Sequence, residues 1–343
     1  MLTTILSGGL IGLIFGFILQ RTRFCLTGGF RDMYIARNNT LFYAFLIAIT
    51  VESIGVLSLI KLGIIGNPYE EFSVLGAIVG SYLFGIGIVL AGGCATGTWY
   101  RAGEGLLGSW VALFFYMTSA AAMKSGFLVP LNQLIAKRWV INDDLAGQLG
   151  IPVWYFLVFL VAITSFVVIR ELRKPRRQIA SLPSKYKGVR RYLFEKTYHK
   201  YFAGLLIGLV AFIAWPASQL TGRVGGLGIT TPSAHLISYI ITGDSKQLGW
   251  GVFLVLGIFL GSFLAAKGSR EFRWRLPDLS TIGKSTLGGI FMGIGASWAG
   301  GCTIGNGLTA TAIFSSKGWI ALPVTILGVW TASYIIFVKP NKN

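Results

Sequence analysis

The chain has three cysteines, and each stands in a glycine-rich setting. Cys94 lies in "AGGCATG" (Ala91–Gly97), Cys302 in "AGGCTIG" (Ala299–Gly305) and Cys25 in "RFCLTGGF" (Arg23–Phe30). A protonated thiol is a weak hydrogen-bond donor carrying a soft, polarizable sulfur. It suits a soft, sulfur-containing anion better than a hard oxyanion. A thiolate would repel such an anion, and an apolar setting disfavours the thiolate through desolvation. If a helix starts after each cysteine, its unpaired N–H groups and positive dipole end add to anion stabilisation. The expected ligand set is therefore Cys25, Cys94 and Cys302, with Gly93, Gly97, Gly301 and Gly305 giving access and Thr27, Thr96 and Thr303 adding hydroxyl donors.

The same residues allow a second chemistry. A cysteine activated by Arg23 or Arg101 could attack a sulfur donor and carry a persulfide. Neither a histidine nor a paired acid–base group stands near the cysteines in sequence. A structural disulfide is not expected among three cysteines placed in apolar segments. The two histidines, His199 and His235, lie far apart, so neither a metal nor another cofactor is expected. There is no G-x-x-x-x-G-K-[ST] run, which argues against an ATPase.

The elements that hold these motifs are apolar. Of the 343 residues 54% are hydrophobic and 12% charged, where a soluble domain carries about 25% charged residues. Apolar runs near the bilayer length of ~20 residues recur, among them Leu41–Ile60, Val74–Leu90, Leu106–Met123, Val153–Ile169, Gly249–Ala266 and Ile320–Val338. The expected class is an all-α polytopic membrane protein. The first apolar stretch lacks a basic n-region and a cleavage site, so it is read as a helix of the mature chain. A net charge of +18 is read as positive-inside bias and contact with anionic lipid, with no nucleic acid implied.

"GIGIVLAGGCATG" (Gly85–Gly97) aligns without gaps on "GIGASWAGGCTIG" (Gly293–Gly305). A weaker match sets "CLTG" at Cys25 against "QLTG" at Gln219. The loop before the first cysteine motif, "KLGIIGNPYEEF", is slightly acidic, whereas its counterpart Lys267–Lys284 is strongly basic. Opposite charge places the two loops on opposite sides, the mark of an inverted-topology repeat. The expected division is an N-terminal repeat, 1–169, a basic cytoplasmic linker, 170–201, and a C-terminal repeat, 202–343. Anchoring the linker and the C-terminus inside gives about nine spans, with the N-terminus outside. Segments broken at Gly-Gly-Cys are expected to be short, half-membrane helices that meet at a constriction, because non-helical backbone at membrane depth must be buried or line a cavity. Scattered glycines such as Gly76 and Gly80 read as close helix packing.

At these motifs the chain resembles the YeeE/YedE family of bacterial inner-membrane sulfur-compound transporters, on its YeeE-type side. The resemblance covers nearly the whole chain. It implies an hourglass-like transporter of the inner membrane, not an enzyme, that takes up thiosulfate. The ion would be handed along a central path by transient hydrogen bonds to Cys25, Cys94 and Cys302. It also implies a small cytoplasmic TusA-like sulfur carrier as partner. YedE-type relatives are linked to selenium metabolism, so another sulfur or selenium anion stays open as substrate.

Other polar residues have two readings each. Glu52, inside the apolar run 41–60, could carry a coupling proton or fix packing. Arg21, Arg23, Arg31 and Arg37 could concentrate an anion, or simply mark a cytoplasmic loop. Arg101 and Glu104 are expected to pair, and Trp99, Trp298 and Trp319 to anchor or pack.

Overall fold

The structure is a computed structural model that describes residues 1–173, 188–195 and 198–339. Residues 174–187 and 196–197 of the expected linker lie outside the described residues. Helices dominate: α1 (Leu2–Thr22), α2 (Leu26–Ile35), α3 (Thr40–Lys61), α4 (Val74–Leu90), α5 (Ala95–Gly103), α6 (Leu107–Ser125), α7 (Val129–Ala136), α8 (Leu145–Leu149), α9 (Val153–Leu172), α10 (Val189–Phe194), α11 (Lys200–Gln219), α12 (Thr230–Thr242), α13 (Trp250–Gly268), α14 (Leu279–Trp298) and α15 (Ser316–Ser333). π-helical turns occupy Gly305–Ala310 and Tyr334–Val338. Two three-residue strands, Glu71–Ser73 and Val140–Asn142, pair antiparallel.

Among the described residues, seven helical segments are long and apolar enough to cross a membrane, and α6 with the bent α7 makes an eighth. α14 does not reach that hydropathy, although its 20 residues would rise about 30 Å. It is packed between α4 and α6, so much of its surface meets glycine-rich protein and needs no apolar coat. Lipid-facing surface is plain elsewhere: Phe159 and Phe166 of α9, Leu260 and Leu264 of α13 and Phe114 of α6 are all exposed.

Direction is legible from the helix ends. Lys200 Nζ, at the start of α11, donates to the Thr22 carbonyl at the end of α1, 2.6 Å. α1 and α11 therefore run in opposite senses. α13 runs with α1, because Gly8, Gly12 and Gly16 face Trp250, Leu254 and Ile258 in that order. α3 runs with α11, because Gly204 and Gly208 face Ala44 and Ala48. α4 and α14 are antiparallel, Gly76, Gly80 and Gly87 meeting Trp298, Gly295 and Met292. The series α1, α2, α3, α4, α5, α6 thus has its image in α11, α12, α13, α14, the π-helical turn and α15, inverted.

The two series interlock. α1 packs on α13 and α3 on α11, which exchange under the repeat; so do α4 on α15 and α14 on α6, while α4 meets its own image α14. Glycine makes these seams close. A Cβ at Gly16 would lie 2.1 Å from the Ile258 carbonyl oxygen, and one at Gly80 2.5 Å from Ala299 N. Gly76 and Gly80 serve packing, as expected.

Candidate functional site

Each Gly-Gly-Cys turn interrupts a long helical passage in the same way. α4 and α14 end at Leu90 and Trp298, and Gly92 and Gly300 then take left-handed φ of 70° and 69°. An L side chain there costs about 1–2 kcal/mol, so the first glycine of each pair is the one the turn requires. Of the pair singled out for access, Gly301 is tight, since a Cβ there would lie 2.4 Å from Asn306 Oδ1, whereas a Cβ at Gly93 would make only ordinary contacts, 3.5 Å from Arg101 Nη1. Both turns are held by a side chain from the helix that follows. Arg101 donates to the Gly92 carbonyl, and Asn306 Nδ2 donates to the Ala299 carbonyl at 2.8 Å. Arg101 is thus fixed to its own turn, while Glu104 pairs with Arg23 at 3.5 Å.

The expected helix starts are present. Cys25 is the N-cap of α2 and Cys94 the N-cap of α5, whose first turn folds back so that the Gly97 N–H donates to Cys94 Sγ at 3.4 Å. Cys302 precedes the π-helical turn, and the Asn306 N–H reaches its carbonyl at 2.8 Å, as the Thr98 N–H reaches that of Cys94. First-turn N–H groups of such helices have no intrahelical partner and carry the positive dipole end.

All three cysteines are buried and free. Gly97 brings two of them together: a Cβ there would sit 3.5 Å from Cys94 Sγ and 4.0 Å from Cys25 Sγ. Neither would be a clash, so the missing side chain leaves a gap between the thiols. Thr27 and Thr96 have buried hydroxyls with no hydrogen-bond partner; that of Thr303 faces the Cys94 thiol and has no other. Gly305 is open, with nothing near the place of its Cβ.

Cys302 also borders a cavity of about 360 Å³ between the 223–232 loop and the second turn. Arg223 lines it, its Nη1 donating to the Gly226 carbonyl at 3.0 Å and its guanidinium 5.4 Å from the Trp250 ring. Lys317 lines it as well and pairs with Asp143 at 3.8 Å. Burial pushes the Asp143 carboxyl above its ordinary range, against the pull of Lys317 and the hydrogen bond from Ser315. Arg223 directly follows the "QLTG" match and Lys317 lies fifteen residues after Cys302, but neither was singled out from the sequence.

Three of the arginines around Cys25 are paired with carboxylates. Arg21 pairs with Glu271 at 3.6 Å, Arg23 with Glu271 at 2.9 Å, and Arg31 with Asp32 at 3.0 Å. Cys25 differs from the sequence alignment in one respect. Gln219 is the last residue of α11 and does not cap the following helix as Cys25 caps α2; the N-cap of α12 is Ile229. Ten residues separate α11 from α12 where three separate α1 from α2. Trp99 and Trp319 pack: Trp99 Nε1 donates to Ser233 Oγ at 2.9 Å, and Trp319 stacks on Phe314.

A polytopic helical protein with two inverted, interlocked repeats and buried free thiols at its broken helices has the build of a membrane transporter. The chain belongs to the family described as "Sulphur transport", which it matches over residues 21–331. It is 53% identical to "Thiosulfate transporter TsuA" of Escherichia coli (strain K12), over 100% of this chain and 97% of the relative. It is 34% identical to the protein of the same name from Spirochaeta thermophila, over 96% and 98%. Similarity to "Probable transporter YedE" of Escherichia coli (strain K12) is 42% but covers 29% of this chain and 25% of that one.

Proposed function

We infer that the chain imports thiosulfate across the bacterial inner membrane, without chemical change, by way of Cys302, Cys94 and Cys25 in that order. The observation that carries this reading is the gap at Gly97, flanked by the Cys94 and Cys25 thiols at the starts of α5 and α2, whose first turns also hold the unpartnered hydroxyls of Thr96 and Thr27. An ion with a soft terminal sulfur and hard oxygens matches that donor set: thiols for the sulfur, N–H groups and hydroxyls for the oxygens. Full-length similarity to thiosulfate transporters, against partial similarity to YedE, favours thiosulfate over a selenium anion.

The cavity bordered by Arg223 and Lys317 is the proposed mouth. It shares its end of the molecule with the N-terminus, where Trp250 meets both Ser7 and Arg223, while Leu193 and Lys200 of the basic linker meet the far end of α1; with the positive-inside rule this supports an N-terminus outside and a cytoplasmic C-terminus. Thiosulfate delivered there would pass to a small TusA-like sulfur carrier, a reading that rests on the family resemblance.

Uptake in a strain without other sulfur import tests the path. Cys94→Ala and Cys302→Ala should each abolish growth on thiosulfate while leaving membrane levels of the protein unchanged. Cys94→Ser, which keeps a donor but loses softness, should retain a small fraction of uptake. Normal growth of both alanine variants would sink the relay. Intact-mass measurement after exposure to thiosulfate decides between passage and persulfide transfer: an added sulfur on a cysteine would favour the latter.

A further inference from the structure

Glu52 lies near the middle of α3 and is completely buried. Trp215 of α11 donates its indole N–H to Oε1 at 2.9 Å, and Oε2 has no hydrogen-bond partner. What faces the carboxyl is neutral: Trp215 from α11 and Thr309 from the π-helical turn. The other elements packed on α3 also meet it through neutral side chains, α9 with Thr164 against Thr50 and α2 with Phe30 against Phe45. Among the described residues no cation balances a charge at Glu52.

Thr309 sharpens the chemistry. Its hydroxyl donates to the Leu227 carbonyl at 3.0 Å. It can therefore accept a hydrogen bond from a protonated Glu52 but has no second proton to give to an ionised one. The carboxyl is also close to the proposed path. Trp215 and Thr309 both line the cavity that Cys302 borders, so Glu52 sits one side chain behind its wall.

We propose that Glu52 takes up a proton from this cavity as the anion enters and releases it on the cytoplasmic side, so that the anion is imported together with a proton. The proposal rests on the thiosulfate path inferred above. A dianion next to the wall favours the neutral carboxyl, and by linkage the neutral carboxyl favours the dianion. The coupling has a use: an anion entering a cell that is negative inside moves against the potential, and each proton carried removes one charge from that work. Only an O–H bond forms and breaks.

The test uses the full-length protein in proteoliposomes, with radiolabelled thiosulfate and a pH dye inside. For the wild type, thiosulfate added outside should acidify the lumen, and an inward proton gradient should raise accumulation by about tenfold per pH unit at equilibrium for one proton carried. Glu52→Gln keeps an acceptor for Trp215. It should still exchange thiosulfate across the membrane near the wild-type rate, but lose both the gradient response and the acidification. A Glu52→Gln variant that follows the gradient as the wild type does, or a wild type that leaves the lumen pH unchanged, would overturn the proposal. If Glu52→Gln is not recovered folded, Trp215→Phe decides: loss of the donor to the carboxylate should move the pH midpoint of uptake upward, and an unmoved midpoint counts against Glu52. Absence of exchange in the wild type would overturn the import reading instead.

Discussion

At the scale of the residue, the gap at Gly97 separates a transport role from a structural one. Alanine is a better helix former than glycine by about 1 kcal/mol, and a Cβ at Gly97 meets the two sulfurs at ordinary contact distance. Gly97→Ala should therefore raise or preserve the thermal midpoint of the purified protein while lowering thiosulfate uptake. Gly97→Val should lower uptake further. Wild-type uptake by both would mean that the ion does not pass between Cys25 and Cys94. The cysteines, Gly97 and the threonines were legible in the sequence because a scarce residue type recurs in a duplicated motif. Gly92 and Gly300 were not singled out, because sequence shows a glycine pair but not which member takes the left-handed conformation. Arg223 and Lys317 were illegible for another reason. Their role depends on which loops fold over Cys302, and no local pattern encodes that.

At the scale of the element, small residues decide how closely helices approach, and the α1–α13 seam is the sharpest case. A methyl group at Gly16 cannot fit 2.1 Å from a backbone oxygen without moving one helix. Overpacking of this kind costs about 1–3 kcal/mol. Gly16→Ala should lower the thermal midpoint in detergent, measured by fluorescence-detected size exclusion. Gly9→Ala, on the same helix with open space at its Cβ, should leave the midpoint unchanged or raise it. Equal behaviour of the two variants would count against the seam. Apolar run length located most of these helices in advance. It was least informative for α14, where close packing between α4 and α6 replaces an apolar coat, and for α7, which turns by 72° from α6. The match at Gln219 was informative only about sequence: ten residues lie between α11 and α12, so Gln219 does not stand at a helix start as Cys25 does.

At the scale of the whole molecule, the repeat is better described as one interlocked body than as two domains. Loop charge alone implied the inversion, and the helix directions agree with it: Lys200 meets the end of α1, and α4 meets α14 head to tail. What loop charge could not reveal is the exchange of partners. α1 and α3 find their seams on α13 and α11, and α4 and α6 find theirs on α15 and α14. In each half, helices therefore present glycine-lined faces that only the other half covers. In a bilayer such faces gain little from lipid contact, since close packing rather than hydrophobic burial holds membrane helices together. Residues 1–169 or 202–343 expressed alone should accordingly fail to accumulate as folded protein. The two pieces expressed together should associate, co-purify through a tag on one of them, and restore growth on thiosulfate. Either half folding stably alone, with a cooperative thermal transition in detergent, would show that the exchanged seams do not hold the fold together, and the midplane path would then need a support other than the partner repeat.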